Sequence, residues 1–370
     1  MEEQNQDKIE ISLDDLQREE PTDSGRLVIT GDDLLDVPDT PVFASVPPPA
    51  SGGTAPGVGP MPYVDKGRSS GIASSNLLQN LLAGAVGGLL AWAIIEPLFN
   101  ESATSVTGRV LVEMGLFGGL MGALIGLALG AVEGIMNRVS EKAMIGGAIG
   151  LAIGFGGGFL GGVVGQVVYS VLGGGGAASI GQQVLARAIG WGVVGTFVGL
   201  GQGIAIRSKR KIVNALLGGL IGGAIGGGLF DFIGMAVGGG TASRAVAITV
   251  LGACAGAAIG LVEELRKQAW LDVVEGWLTG KQFIIYKDVT TIGSASKCDI
   301  AVFKDPRVMP EHAVIRAENG RYSIHSTQGN APTYVNRQSV GHRVLRNGDL
   351  IGIGGTVFRY SEKAAEWNQH

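Results

Sequence analysis

The chain has 370 residues, of which 46% are hydrophobic, 16% charged and 6% aromatic, with a net charge of −4. The length exceeds one small domain, and a mean hydropathy of +0.31 with so few charges points to a membrane protein. Two cysteines, Cys254 and Cys298, build no disulfide framework, and the acidic, polar N-terminus shows no signal peptide.

Residues 1–75 hold 14 Asp/Glu against 5 Lys/Arg and nine of the thirteen prolines. A segment so acidic, proline-rich and poor in aromatics buries too little surface to offset its ordering entropy, so it is expected to be a disordered tail. Within it, residues 9–16 and 27–37 mix Leu, Ile and Val with Asp, a pattern open to two readings, partner docking or a solvated spacer.

Residues 80–262 form a glycine-studded apolar block. Gly118, Gly122, Gly126, Gly130 and Gly134 recur every fourth residue, as do Gly146, Gly150, Gly154 and Gly158. The same ladder recurs in Gly195, Gly199 and Gly203, in Gly218, Gly222 and Gly226, and in Gly252, Gly256 and Gly260. Residues four apart share one face of an α-helix, so each run draws a groove without side chains down one side. An interior glycine costs roughly 1 kcal/mol relative to alanine in a water-exposed helix. In lipid the helix persists, and the groove admits a second helix. The ladders therefore predict helix-packing faces in a glycine-zipper bundle. A Gly-rich soluble linker would carry Ser and charge in place of this Leu, Ile, Val and Ala.

Six spans are predicted, at residues 80–99, 110–135, 143–172, 188–206, 212–233 and 245–262. Most approach the ~20 residues that cross a bilayer core. The third, dense in glycine at Gly156 to Gly158, is expected to bend or break. The spans read as three copies of one helix hairpin, each even-numbered span preceded by an arginine (Arg109, Arg187, Arg244) and followed by basic residues. Ten Lys/Arg flank one side of the spans (Lys66, Arg68, Arg138, Lys142, Arg207, Lys209, Arg210, Lys211, Arg266, Lys267) against three on the other. By the positive-inside rule both termini are expected to be cytoplasmic, in the inner membrane. Glu96, Glu113 and Asp231 fall toward the outer ends, Glu133 and Glu263 toward the inner ends, and all are expected to reach the interface. The absence of a mid-depth charge favours an anchor or oligomerising bundle over a proton-coupled transporter. A Gly-zipper channel or transporter is the alternative.

After residue 262 the period changes. From Trp270 onward come short apolar runs divided by turn residues, with hairpin signals at Asn319-Gly320 and Asn347-Gly348. About a hundred residues of such runs predict an all-β sandwich. The chain is thus multidomain: a tail at 1–75, a six-helix polytopic membrane domain at 76–265 and a cytoplasmic β-sandwich at 268–363.

Thr291-Ile292-Gly293, Cys298-Asp299-Ile300, His312-Ala313-Val314-Ile315, Thr333-Tyr334-Val335-Asn336 and Asn347-Gly348-Asp349 stand in an order and spacing that resemble a forkhead-associated (FHA) domain. That resemblance covers residues 270–362, about a quarter of the chain. It implies a sandwich that binds phosphothreonine peptides through loops at one end. Where the family has Gly-Arg, this chain has Gly293-Ser294; where it has a Ser three positions before the His, this chain has Met309, followed by Pro310. The family's Asn-Gly-Thr corresponds to Asn330-Ala331-Pro332-Thr333. His312 is retained, with an implied loop-bracing role. Phosphate wants charge-assisted donors, ideally an Arg fork, and both main donors are gone. Arg307, Lys297 and Arg337 are near enough in sequence to substitute.

The partner-binding candidates are therefore Gly293, Ser294, Arg307, Met309, His312, Asn330, Thr333 and Asn336. No catalytic motif, metal-ligand spacing or cofactor fingerprint is present; the GxGxxG at Gly156 to Gly161 lies inside an apolar span with no strand before it. The acidic tail and the lack of a basic aromatic face disfavour nucleic acid. The expected function is a membrane-anchored FHA adaptor with weak or no phosphothreonine dependence. Its partners are the lipid bilayer, a cytoplasmic protein or phosphoprotein and a second copy of the chain.

Overall fold

The computed structural model describes residues 76–98, 107–173, 179–318, 320–327 and 331–363. The expectations for the tail and for Asn330 lie outside the described residues. Six helices come first: α1 (Asn76–Ile95), α2 (Thr107–Met136), α3 (Ser140–Gly173), α4 (Ile180–Ile206), α5 (Lys209–Val237) and α6 (Gly240–Arg266). All six are long and apolar enough to cross a membrane. No proline interrupts them, and their ends carry cap chemistry. Ser179 and Gln182 form a capping box on α4, Ser208 accepts from the Lys211 amide at the start of α5, and Arg207 and Gly238 close α4 and α5 in the left-handed region.

Several helix limits differ from the sequence reading by three or more residues, and one expected break is absent. Helix α4 begins eight residues earlier than predicted, because polar Gln182 and Gln183 are tolerated beyond the apolar run. Helix α6 extends through Glu263 and Glu264 to Arg266. Helix α3 does not break: it is a continuous helix of 34 residues, about 50 Å long at 1.5 Å per residue. Its glycines are held in place by neighbouring helices rather than released into a bend.

The ladders meet across helices. A Cβ on Gly118, Gly122, Gly126 or Gly130 would overlap the backbone of Gly158, Gly154, Gly150 or Gly146 on α3. Gly195, Gly199 and Gly203 of α4 face Gly219, Ala215 and Ile212 of α5. Gly252, Gly256 and Gly260 of α6 face Gly84, Asn80 and Leu77 of α1. The closest seams therefore join α2 to α3, α4 to α5 and α6 to α1, the last closing a ring. Seen at this register the seams are near-repeats. Arg187 and Arg244 stand eight residues before Gly195 and Gly252, and each clasps a carboxylate twelve residues after the facing glycine: Asp231 after Gly219, Glu96 after Gly84. In the α2–α3 seam those positions are Met114 and Gln166. Arg109 is not their equivalent, since it pairs along its own helix with Glu113 at 2.7 Å.

Buried Met121, Ile125, Leu129, Val194, Val198 and Leu251 form one apolar cluster among the helices, beside a cavity of about 640 Å³ that residues of all six helices line. Below it, Gln202 Nε2 donates to Asn80 Oδ1 at 2.7 Å in a buried contact. Glu263 does not reach an interface as expected: it is fully buried, paired with buried Lys211, and accepts from the Tyr286 hydroxyl at 3.1 Å.

The rest is a two-sheet sandwich. One sheet has six strands in the order β2 (Gln282–Ile284), β1 (Ala269–Glu275), β11 (Thr356–Glu362), β10 (Leu350–Ile353), β7 (Thr333–Val335) and β8 (Gln338–Val340). The other has five in the order β4 (Ile300–Ala301), β3 (Val289–Gly293), β5 (Ala313–Glu318), β6 (Arg321–Ser326) and β9 (His342–Val344). Alternate residues of β1, β6, β10 and β11 point inward, as the pleat requires. Leu271, Val273, Ile292, Ile315, Ile324, Val335, Ile351, Phe358 and Tyr360 make the shared core. Strands β5 and β6 pair antiparallel, with Glu318 opposite Arg321; Asn319 of the predicted turn lies outside the described residues. Asn347-Gly348 is no hairpin: it carries the chain from β9 in one sheet to β10 in the other.

Candidate functional site

The loops at one end of the sandwich gather most of the sequence candidates. Gly293 ends β3, and a Cβ there would overlap the Pro310 carbonyl, so only glycine allows the loop after β3 to lie against residues 309–310. That contact is hydrogen-bonded: Ser294 N donates to Met309 O at 2.9 Å and Ala295 N to Pro310 O at 3.2 Å. Ser294 and Met309 therefore sit on paired strands of backbone, with Met309 and Ser294 half-buried.

His312 braces this arrangement. It is buried; its Nδ1 accepts from Met309 N at 3.3 Å and its Nε2 lies 3.4 Å from Pro332 O. This geometry assigns the neutral tautomer with the proton on Nε2. Burial pushes the imidazole below its ordinary range, against the opposing pull of the Pro332 carbonyl. Thr327 completes the cluster, its amide donating to His312 O at 3.1 Å and its hydroxyl to Glu311 O. The sequence reading missed Thr327; a hydroxyl residue at the end of β6 facing the His loop was its only signal.

Two of the three candidate cations near these loops, Arg307 and Lys297, are occupied. Arg307 donates to Asp305 from its amide and Nε, both at 3.1 Å. Burial works against the charged form of Asp305, yet hydrogen bonds from Arg307 and the Gly355 amide hold its carboxyl below the usual range. Lys297 is paired with Glu311. Arg337 stands on the β7–β8 turn, which it and Asn336 form with positive φ of 68° and 51°. Asn336 is not brought to the loops: its amide group donates to Asp349 at 2.8 Å and its Oδ1 accepts from Leu350 N at 2.9 Å. Thr333 is fully buried in β7, its Oγ1 without a partner among the described residues. The structure thus brings Gly293, Ser294, Met309 and His312 together, places Arg307 two residues away in a separate ion pair, and sets Asn336 in a turn.

The loop after β3 also touches the helices. Ser296 Oγ donates to Glu141 at 2.9 Å, and Lys142 Nζ donates to the carbonyl oxygens of Cys298 and, at 3.3 Å, Asp299. Further along, Ser208 Oγ donates to Tyr286 O at 3.0 Å, and the Lys211 ammonium lies 4.8 Å from the centre of the Tyr286 ring. Burial first, then the charge of Glu263, raises the Tyr286 phenol well above its ordinary range, so it stays protonated and donates.

The family model of the FHA domain matches residues 290–354. Residues 290–354 are an FHA domain. Among curated proteins, the glycogen accumulation regulator GarA of Mycobacterium tuberculosis is 35% identical over 86 residues, which is 23% of this chain and 52% of GarA. GarA of Mycolicibacterium smegmatis is 35% identical over 86 residues, 23% of this chain and 54% of that protein. The chain spans about half the length of the curated relatives it matches. Among solved structures, the FHA domain of CT664 from Chlamydia trachomatis is 20% identical, covering 26% of this chain and 100% of that one, with a TM-score of 0.25. The FhaA FHA domain complexed with the intracellular domain of Rv3910 is 20% identical, covering 25% of this chain and 98% of that one, with a TM-score of 0.23. An FHA domain is a protein-interaction module and not a catalytic one.

Proposed function

We propose that this chain is an adaptor, held in a membrane by its six helices, whose FHA domain recruits protein partners at the cytoplasmic face with weak or no dependence on phosphothreonine. One observation carries the reading. Ser294 and Met309 stand side by side where the family's Arg and Ser would meet phosphate, and Arg307 and Lys297 are each engaged by a carboxylate. A phosphate carries about −1.5 to −2 charges and gains most from free guanidinium or hydroxyl donors. Here a dianion would have to displace Asp305 or Glu311 first.

Three further features support the anchor. The six helices are long and apolar enough to span, Leu, Ile and Val side chains stay exposed along them, and the Lys/Arg excess lies at the ends nearest the FHA domain. The buried apolar cluster among the helices favours a packed anchor over an open pore. The proposed binding surface is the loop cluster of Gly293, Ser294 and Met309, braced from beneath by buried His312.

Calorimetry of the full chain in detergent against phosphothreonine peptides and their unphosphorylated forms tests this. The expected result is no difference between the two forms. Saturable micromolar binding that requires the phosphate would contradict it.

A further inference from the structure

A cavity of about 370 Å³ lies where the helix ends meet the FHA domain. Its walls come from both parts: Glu133, Lys142 and Gln202 from the helices, Lys281 and Thr290 from the sandwich. Two of its lysines have no acidic partner in contact. Lys142 donates to backbone carbonyls, and Lys281 donates to Asn137 Oδ1. Among the described residues no carboxylate oxygen lies within 4.0 Å of either ammonium. Glu133 attracts both without closing to that distance. On the same wall, Lys211 and Lys287 are by contrast paired with Glu263 and Asp299. Burial, opposed by Glu133 and aided by Arg138 and Lys142, brings Lys281 down to about 8. An ammonium so placed gains from an anion brought beside it.

Two buried polar atoms on the cavity wall are also unmatched. Gln202 and Thr290 are 2% and 4% exposed, and Gln202 Oε1 and Thr290 Oγ1 have no hydrogen-bond partner among the described residues. Buried polar groups are ordinarily satisfied, and an unmatched one costs about 1–3 kcal/mol. The Gln202 amide nitrogen is already used on Asn80, so its oxygen wants a donor. The Thr290 hydroxyl is free to donate. A ligand answering all four groups carries an anion for the lysines, an acceptor for Thr290 and a hydroxyl for Gln202. A polyol phosphate has these.

The rim selects the source. Met136 and Ile145 line the cavity and are 41% and 51% exposed. A free sugar phosphate gains nothing from an apolar rim, whereas the acyl chains of a phospholipid would lie along it. We propose that this cavity holds the headgroup of an anionic polyol phospholipid, with Lys142 and Lys281 on the phosphate and Thr290 and Gln202 on the polyol phosphate's remaining polar atoms. The site lies at headgroup depth only if the helices span a membrane, so it rests on the reading above. A lipid there would bridge the helices and the FHA domain.

Native mass spectrometry of the full chain in detergent tests this, with phosphatidylglycerol, phosphatidylcholine and glycerol 3-phosphate as probes. Phosphatidylglycerol should bind at least tenfold more tightly than phosphatidylcholine. The Lys142→Gln/Lys281→Gln double variant should lose at least tenfold of that affinity, and Lys281→Arg should keep it. If the double variant does not fold, Lys281→Gln alone is read against Lys281→Arg. Equal affinity for the two phospholipids, or no loss in a folded lysine variant, overturns the proposal. Glycerol 3-phosphate binding more tightly than phosphatidylglycerol overturns the lipid source. The membrane reading fails separately, if the expressed chain is released from membranes by alkaline carbonate.

Discussion

At His312 a single side chain sets both loop shape and pH response. Burial lowers its proton affinity in the folded state, while the unfolded imidazole titrates near about 6.5. Between those values the unfolded chain binds more protons, so this stability is complete above about pH 6.5 and is lost as pH falls toward the folded value. His325, lowered by burial and by neighbouring His342, acts in the same direction. Urea unfolding of the FHA domain, followed by its tryptophan fluorescence, should show a falling midpoint from pH 7 to 5. His312→Gln should be less stable at pH 7 and flatter across that window; an unchanged slope would remove His312 from the account. Ser294 and Met309 make the second residue-scale case. Ser294→Arg with Met309→Ser supplies a guanidinium and a hydroxyl, each charge-assisted bond worth roughly 1.5–3 kcal/mol. Phosphothreonine affinity measured by calorimetry should rise at least about tenfold. No gain would mean that Pro310 holds the loop in a shape that phosphate cannot use.

Among the helices, the α2–α3 seam gives an internal control. Gly154 faces the Gly122 backbone, while a Cβ on Gly156, two residues on, would meet nothing within 4 Å. Gly154→Leu should therefore lower the melting temperature of the detergent-solubilised protein by several degrees more than Gly156→Leu. Equal shifts would mean that the seam is not a packing contact. The spacing of the ladders was readable because a four-residue repeat names a helix face, but a face does not name its neighbour. That is why the ring closure of α6 on α1 was not legible, nor the pairing of Arg187 and Arg244 with carboxylates on adjacent helices. The sandwich was read from its alternation and from the Asn-Gly pair at 319–320 in the sequence. The β7–β8 turn was missed because Asn336-Arg337 carries no glycine, and Asn tolerates positive φ without announcing it. Asn336 was named a loop candidate because it ends the Thr333-Tyr334-Val335-Asn336 stretch of the resemblance; its side chain bonds Asp349 and Leu350 instead. Glu263 read as interfacial because a carboxylate near a helix end normally meets water; Tyr286 and Lys211, distant in sequence, enclose it.

In the whole molecule, that enclosed pair and the contacts of the loop after β3 join the helices to the FHA domain. Removing one partner of a buried ion pair leaves the other charge uncompensated, at a cost of roughly 3–5 kcal/mol, whereas replacing both by apolar residues is often neutral. Lys211→Met should thus lower the melting temperature sharply, and Lys211→Met with Glu263→Leu should recover most of the loss. A double variant as unstable as the single would locate the cost elsewhere. The claim on which all of this depends is that six spans hold the FHA domain at the cytoplasmic face. Cysteine accessibility in intact cells tests it most directly, using a chain in which Cys254 and Cys298 are replaced and one cysteine is placed at exposed Gly239 or exposed Glu318. A membrane-impermeant maleimide should label Gly239→Cys from outside, and Glu318→Cys only after the cells are opened. Labelling of Glu318→Cys in intact cells, or protection of Gly239→Cys there, would contradict the account.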